Sequence, residues 1–267
     1  IENNTEELIP IIAKIEKPQA IKKMDEIIKV ANGIMVARGD LGIEVPAEEV
    51  PLYQKALVKK ANEARKPVIV ATQMMESMIE NLTPSRAEVN DVANSVIDGA
   101  DCIMLSAETS VGKYPCQVVK KVGEIIIGVE GAQPIKHKFS LPKIKSKRII
   151  TKTICRHAAL IANEINAAAV CTLTHSGYTG WQISSWRPNC LVIVFTSNKR
   201  ILSQLNLLWG VKSIYYNKFQ STDKTVEDVN HLAINNRYVK KGDIVVNLAS
   251  MPIKDKGQVN TLRISQL

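Results

Sequence analysis

Aromatic side chains are scarce in this sequence of 267 residues: three Trp, six Tyr and three Phe, 4% of the whole. That is too few for a base-stacking platform, and no RNA- or DNA-binding motif accompanies them, so nucleic acid is not an expected partner. The five cysteines (102, 116, 155, 171 and 190) are odd in number, scattered and without a C-x-x-C pair. That excludes a disulfide frame, suits a reducing compartment, and leaves the cysteines expected as small buried hydrophobes. No run of eighteen apolar residues occurs, so no membrane span is expected. The opening Ile1-Glu2-Asn3-Asn4-Thr5 has neither an initiator Met nor the pattern of a secretory signal, and a cytoplasmic location is the expectation. What is present suits a folded core: 45% hydrophobic and 23% charged residues exclude disorder, collagen repeats and a coiled coil.

The charge is unevenly spread. Residues 1–128 hold 15 Lys and Arg against 19 Asp and Glu, whereas residues 129–267 hold 20 against 7 and all four His. Such asymmetry predicts two units with different ligands, the basic one suited to small phosphorylated anions. Apolar runs at 8–15, 33–38, 67–72 and 101–106 read as parallel strands buried on both faces. Helical patterns lie between them at 18–31, 50–64, 91–97 and 116–129, and strand starts 25 to 34 residues apart give the scale of βα units. Residues 131–147, with five Lys and little periodicity, read as a linker. Beyond them the pattern predicts helices at 148–165, 178–186, 199–208 and 223–237. Strands are predicted at 168–174, 190–196, 211–216, 243–249 and 261–265, the last two forming a hairpin. Four βα units suit either an open doubly wound sheet or half of a (β/α)8 barrel.

Polar residues gather at the C-terminal ends of the first four runs, the edge where parallel α/β folds build sites. Lys14 and Glu16 are two apart and share one strand face, either as a structural ion pair or as part of a site. Gly39 precedes Asp40 and lets backbone N–H groups approach an anion. Two carboxylates beside an ammonium suit a hard divalent cation and an anionic substrate. Thr72 either donates to a carboxylate or satisfies its own backbone; Ser106 and Glu108 read as strand-end polar residues. Arg86 and Glu88 read as a helix-start pair, and Met74, Met75 and Met78 as core filler.

The segments IIAKIEKPQAI, GIMVARGDLGIEVP, PVIVATQMMESM, TPSRAEVNDVAN and DGADCIMLSAETSVGKYP, in this order, resemble pyruvate kinase. The resemblance resolves the strand count. It implies an α/β chain in which residues 1–130 are the C-terminal half of a catalytic (β/α)8 barrel, 131–147 a linker and 148–267 a mostly parallel, effector-binding α/β domain. It implies phosphoryl transfer from phosphoenolpyruvate to ADP, giving pyruvate and ATP, with Lys14 and Thr72 catalytic. Gly39, Asp40 and Thr72 would bind the substrate, and Glu16 and Asp40 would hold Mg2+ (or Mn2+). The resemblance places Arg86 and Glu88 near a contact between subunits of a homotetramer. It puts the K+ ligands, the first four strands and most nucleotide contacts outside these residues. The chain alone is therefore expected to be inactive, with strand edges near 9–15 and 102–105 open to association.

In the basic half, Thr174-His175-Ser176-Gly177-Tyr178-Thr179 follows a strand and opens a helix, which by itself reads as a capping turn or an anion pocket. The resemblance implies a phosphorylated effector bound by Thr174, Ser176, Gly177 and Thr179. The family's usual Trp-Arg loop is replaced here by residues 249–257, whose Lys254 and Lys256 are expected to supply the charge. Two other readings stand beside this one: a non-catalytic module that binds phosphorylated metabolites, and a metal-dependent lyase acting on pyruvate-like enolates.

Overall fold

The computed structural model describes residues 9–132, 147–218, 221–251 and 258–267. The chain divides into two units, Ile1–Ile135 and Lys136–Leu267.

In the first unit, strands β1 (Ile12–Ile15), β2 (Gly33–Ala37), β3 (Val68–Ala71) and β4 (Cys102–Met104) are all parallel and lie side by side in sequence order. A doubly wound sheet reverses its strand order; sequential order without reversal is how strands run around a (β/α)8 barrel. The barrel is not closed, for β1 and β4 each have one sheet neighbour among the described residues. Burial follows position. Ile34, Val36, Val68 and Val70 of the two inner strands are fully buried, whereas β4 is half-buried throughout and Ile9 and Ile11 before β1 are exposed. Leu57, Val58 and Ala61 pack onto the inner strands from α4 (Val50–Glu63), and Met74, Met75 and Met78 complete this core.

Several helices differ from the sequence pattern, the short α6 (Ala107–Ser110) among them. The predicted helix 18–31 is two, α1 (Pro18–Lys22) and α2 (Met24–Val30), broken at Lys23, whose φ of −109° and ψ of 21° leave the helical region. An unpredicted α3 (Arg38–Glu44) begins directly after β2. Helix α5 (Arg86–Asp98) starts five residues before the predicted 91, because Ser85 and Glu88 form a reciprocal capping box. The short α6 (Ala107–Ser110) and long α7 (Pro115–Ala132) follow.

Polar clips tie the N-terminal ends of these strands. Asn32 Oδ1 accepts the Ile11 amide at 2.8 Å, Asp101 Oδ2 accepts that of Val68 at 3.0 Å, and Asn62 donates to Gly99 O at 3.1 Å. Lys66 Nζ donates to the carbonyls of Lys29 and Ala31.

The second unit comprises α8 (Ile149–Glu164), β5 (Ala169–Leu173), α9 (Tyr178–Ser184), β6 (Leu191–Thr196), α10 (Lys199–Leu205), β7 (Val211–Tyr215), α11 (Thr222–Asn235), β8 (Ile244–Ala249) and β9 (Thr261–Gln266). The sheet order is β7-β6-β5-β8-β9, parallel except for the predicted closing hairpin of β8 with β9. One sheet face buries Val170, Val194 and Leu248 with Ala158 of α8; the other buries Cys171, Ile193 and Phe195 with Val229 and Ala233 of α11. At Gly180 a Cβ would stand 2.9 Å from Val194 Cγ2, so glycine lets α9 approach the sheet. The chain runs from β5 to one side and returns to the other at β8, which creates a switch point at the C-terminal ends of these two strands.

The cysteine expectation needs correction. Cys155 and Cys171 are buried, and burial pushes the Cys171 thiol up to about 12, but Cys102 and Cys190 are half-buried and Cys116 is exposed at the start of α7. No helix among the described residues is long and apolar enough to cross a membrane.

Candidate active site and anion pocket

The alternation of β1 turns Lys14 out of the core, while Ile15 beside it is buried. Glu16 follows the strand, and Asp40 reaches the same place from the first turn of α3. Lys14 Nζ stands 2.5 Å from Glu16 Oε2 and 2.8 Å from Asp40 Oδ2, with all three side chains a third to a half exposed. Asp40, then Glu16, hold the Lys14 pKa well above its ordinary value, so the ammonium keeps its charge; Lys14 in turn holds Asp40 below the usual carboxylate range. Ion pairs this exposed add little to folding. Lys17 adds a second cation at this edge through its bond to Glu44.

Next to this triad, the Gly39 amide donates to Thr72 Oγ1 at 2.7 Å, and the Thr72 hydroxyl donates to Ala71 O at 2.6 Å. Of the two readings of Thr72, the backbone one is what the structure shows: it bonds to the carbonyl beside it and also joins β3 to Gly39. Thr72 and Gln73 have φ of 72° and 53°. A β-branched residue is a genuine outlier in this left-handed region, at a cost of about 1–2 kcal/mol. Arg38, which the sequence placed at a strand end without a role, bonds to the carbonyls of both Ala71 and Thr72. No local signal points to it, because its partners are remote in sequence, Asp91 being 53 residues away.

Among the described residues no cluster of three or more His, Cys, Asp or Glu side chains is placed to hold a metal ion alone. Glu16 and Asp40 nonetheless converge on one ammonium, and two carboxylates completed by substrate oxygens are the usual protein share of a Mg2+ site. These donors fit such an ion.

Glu88 does more than start a helix. It accepts the Ser85 amide at 2.7 Å and the Ser77 amide at 2.7 Å, tying α5 to the turn 76–79. Burial pushes its pKa up, but these bonds, with those of the two serine hydroxyls, outweigh it and hold the carboxyl below its ordinary value. Glu108 is buried and accepts the Ser106 amide at 2.8 Å, as a strand-end residue would.

In the second unit, a cavity of about 410 Å³ opens at the β5/β8 switch point. Thr174, Ser176 and Thr179 line it, together with His175, Tyr178, Phe195, Tyr216 and Ser250. Gly177 shapes the turn instead: its φ is 78°, and its amide donates to Thr174 Oγ1 at 3.1 Å. Lys254 and Lys256 lie outside the described residues. The sequence reading missed Arg148, which borders a lysine-rich stretch and so does not stand out; it lines the cavity with its guanidinium 4.6 Å from the centre of the Tyr178 ring.

Comparison with known proteins finds the same family for both units. The model of the pyruvate kinase barrel domain matches residues 1–119, and that of the pyruvate kinase alpha/beta domain matches residues 152–265. Pyruvate kinase of Sporosarcina psychrophila is 41% identical over 264 residues, covering 99% of this chain and 45% of that protein. Pyruvate kinase of Mycobacterium tuberculosis is also 41% identical, with 97% of this chain and 54% of that protein covered. A crystal structure of a pyruvate kinase from Cryptosporidium parvum superposes with a TM-score of 0.89 at 32% identity, covering 99% of this chain and 52% of that one. The chain thus spans about half the length of the relatives it matches. With two domain models in the order of its two units and relatives matched along nearly all its residues, this chain belongs to the pyruvate kinase family.

Proposed function

We propose that this chain supplies the phosphoryl-transfer centre of a pyruvate kinase, which passes the phosphoryl group of phosphoenolpyruvate to ADP in glycolysis. One observation carries the reading: Lys14 bracketed by Glu16 and Asp40, beside the Gly39–Thr72 pair, at the C-terminal edge of a parallel sheet. In the reaction the bond between phosphorus and the enol oxygen breaks, the enol oxygen keeps the electron pair, and phosphorus joins a terminal oxygen of ADP. Lys14 stabilises the charge that develops on the phosphoryl oxygens. The substrate carboxylate takes the amides of Gly39 and Asp40, replacing the Thr72 oxygen at Gly39. The Thr72 hydroxyl then relays a proton to the methylene carbon of the enolate, giving pyruvate. Glu16 and Asp40 would hold Mg2+ or Mn2+, which when bound neutralises charge on substrate oxygens. K+ serves as the second cofactor, through ligands not among the residues assigned here.

We assign residues 1–130 to catalysis, 131–147 to a linker and 148–267 to effector binding, in a cytoplasmic homotetramer. The cavity at the β5/β8 switch point favours the regulatory assignment, since hydroxyls, His175 and Arg148 converge there on a space that fits a phosphate ester.

The test is a linked assay with phosphoenolpyruvate, ADP, Mg2+ and K+ on the longer enzyme that would contain this chain and on its Glu16→Gln and Asp40→Asn variants, residues 1–267 alone being expected inactive. Turnover in the wild type, falling on the order of 100-fold or more in each variant, is expected. Variants that turn over like the wild type would overturn the assignment.

A further inference from the structure

Thr72 sits in a conformation that its own residue type disfavours, and it is followed by a second left-handed residue, Gln73. Such turns are normally built from glycine or asparagine. Strain of this kind persists only where the surroundings over-determine it. Here two contacts act from opposite sides. The hydroxyl oxygen is fixed by the Gly39 amide at 2.7 Å, while the carbonyl is held by Arg38 Nη2 at 2.6 Å. Arg38 Nε reaches the preceding carbonyl, Ala71 O, at 3.3 Å, and Nη2 also reaches Met74 Sδ at 2.8 Å, so one guanidinium spans the whole turn 71–74.

Arg38 is itself anchored. Nη1 bonds to Asp91 Oδ1 of α5 at 2.6 Å and to Gln54 Oε1 of α4 at 3.4 Å, and the Arg38 side chain is only 12% exposed. A planar fork with donors on both edges can bridge two carbonyls and a carboxylate at once; a lysine ammonium cannot reproduce that geometry. The Gly39–Thr72 bond is the one that a substrate carboxylate would displace, so during the reaction Thr72 would be left to Arg38 and to its own hydroxyl bond with Ala71 O.

We propose that Arg38 is the positioning residue that keeps Thr72 left-handed and its hydroxyl aimed at the substrate. The catalytic half of this proposal rests on the phosphoryl-transfer reading; the conformational half does not. Arg38 touches neither substrate nor metal, and acts through Thr72.

Two measurements on Arg38→Met, Arg38→Lys and Asp91→Asn test it. In the first, amide hydrogen exchange is followed by NMR without ligands. Loss of protection at Gly39 and at residues 72–74, with α4 and α5 as protected as before, is expected for Arg38→Met; unchanged protection at Gly39 overturns the proposal whatever the activity. Loss spread evenly over the unit overturns it too, because that is the signature of a merely structural residue. In the second, exchange of the methyl protons of pyruvate with deuterated water is followed, with Mg2+ and K+ present, on the longer enzyme that would contain this chain. A fall on the order of 100-fold for Arg38→Met is expected, with KM for pyruvate and Mn2+ affinity changed less than about threefold, since a misplaced group costs rate rather than binding. Arg38→Lys and Asp91→Asn should lie between it and the wild type. Methyl exchange in Arg38→Met equal to that of an active wild type overturns the proposal. A wild type that exchanges no methyl protons overturns the phosphoryl-transfer reading and with it the catalytic half, and the amide measurement then decides the conformational half alone.

Discussion

Lys14 and Asp40 meet at 2.8 Å although one lies in β1 and the other in the first turn of the helix after β2. The ammonium occupies the space between the two carboxylates, so on the function proposed above a divalent cation would have to compete with it for them.

Replacing Lys14 by Met should therefore separate binding from turnover. kcat is expected to fall on the order of 100- to 1,000-fold, the loss typical of one donor to a developing oxyanion, with KM for phosphoenolpyruvate little changed. Mn2+ should bind at least as tightly as before, because its competitor is gone. Steady-state kinetics and a Mn2+ titration check this, and near-normal kcat would end the assignment of Lys14.

Glu88→Ala removes the capping carboxylate and its bonds to Ser77 and Ser85. A loss of about 1–2 kcal/mol at neutral pH is expected from urea unfolding. Because the folded carboxyl lies below its ordinary value, its stabilisation is present above the carboxylate range and disappears as pH falls through the folded pKa. The gap between variant and wild type should therefore shrink in acid. A gap that widens there would contradict the sign.

The cavity at the β5/β8 switch point should bind phosphate esters, and Arg148→Gln should weaken that binding about tenfold or more, as loss of a charge-assisted bond does. Calorimetry with inorganic phosphate, several sugar phosphates and a nucleoside monophosphate is the measurement. If none binds at millimolar concentration, the turn 174–177 is only a helix cap.

Gly180→Ala places a methyl 2.9 Å from Val194 Cγ2 and 3.1 Å from Leu205 Cδ2. Neither neighbour has room to withdraw in a packed core, so a loss of about 1–3 kcal/mol is expected from the shift in denaturant midpoint. A stabilised variant would mean that α9 does not press on the sheet as described.

Most of the frame was legible in the sequence because a strand buried on both faces is a continuous apolar run, and β2, β3, β6 and β8 are such runs. Lys14, Glu16 and Asp40 stood out because charge at the end of such a run is rare. Helix α3 was illegible: seven residues containing Gly39 and Gly42 oppose helix propensity, and position after β2 decides the matter. The capping box before α5 was readable as Ser85-x-x-Glu88 and was missed because the apolar period begins later. Arg38 could not be read at all, since its meaning comes from carbonyls and a carboxylate supplied by other parts of the chain.

The polar clips at the N-terminal ends of β1 to β4 have a consequence for how such a protein adapts. Asn32, Asn62, Lys66 and Asp101 secure the sheet at one end, while Lys14, Glu16, Asp40 and Thr72 gather at the other. Each strand thus has one end fastened by side-chain bonds and one that carries the proposed chemistry, so rigidity can be retuned at the first without touching a group at the second.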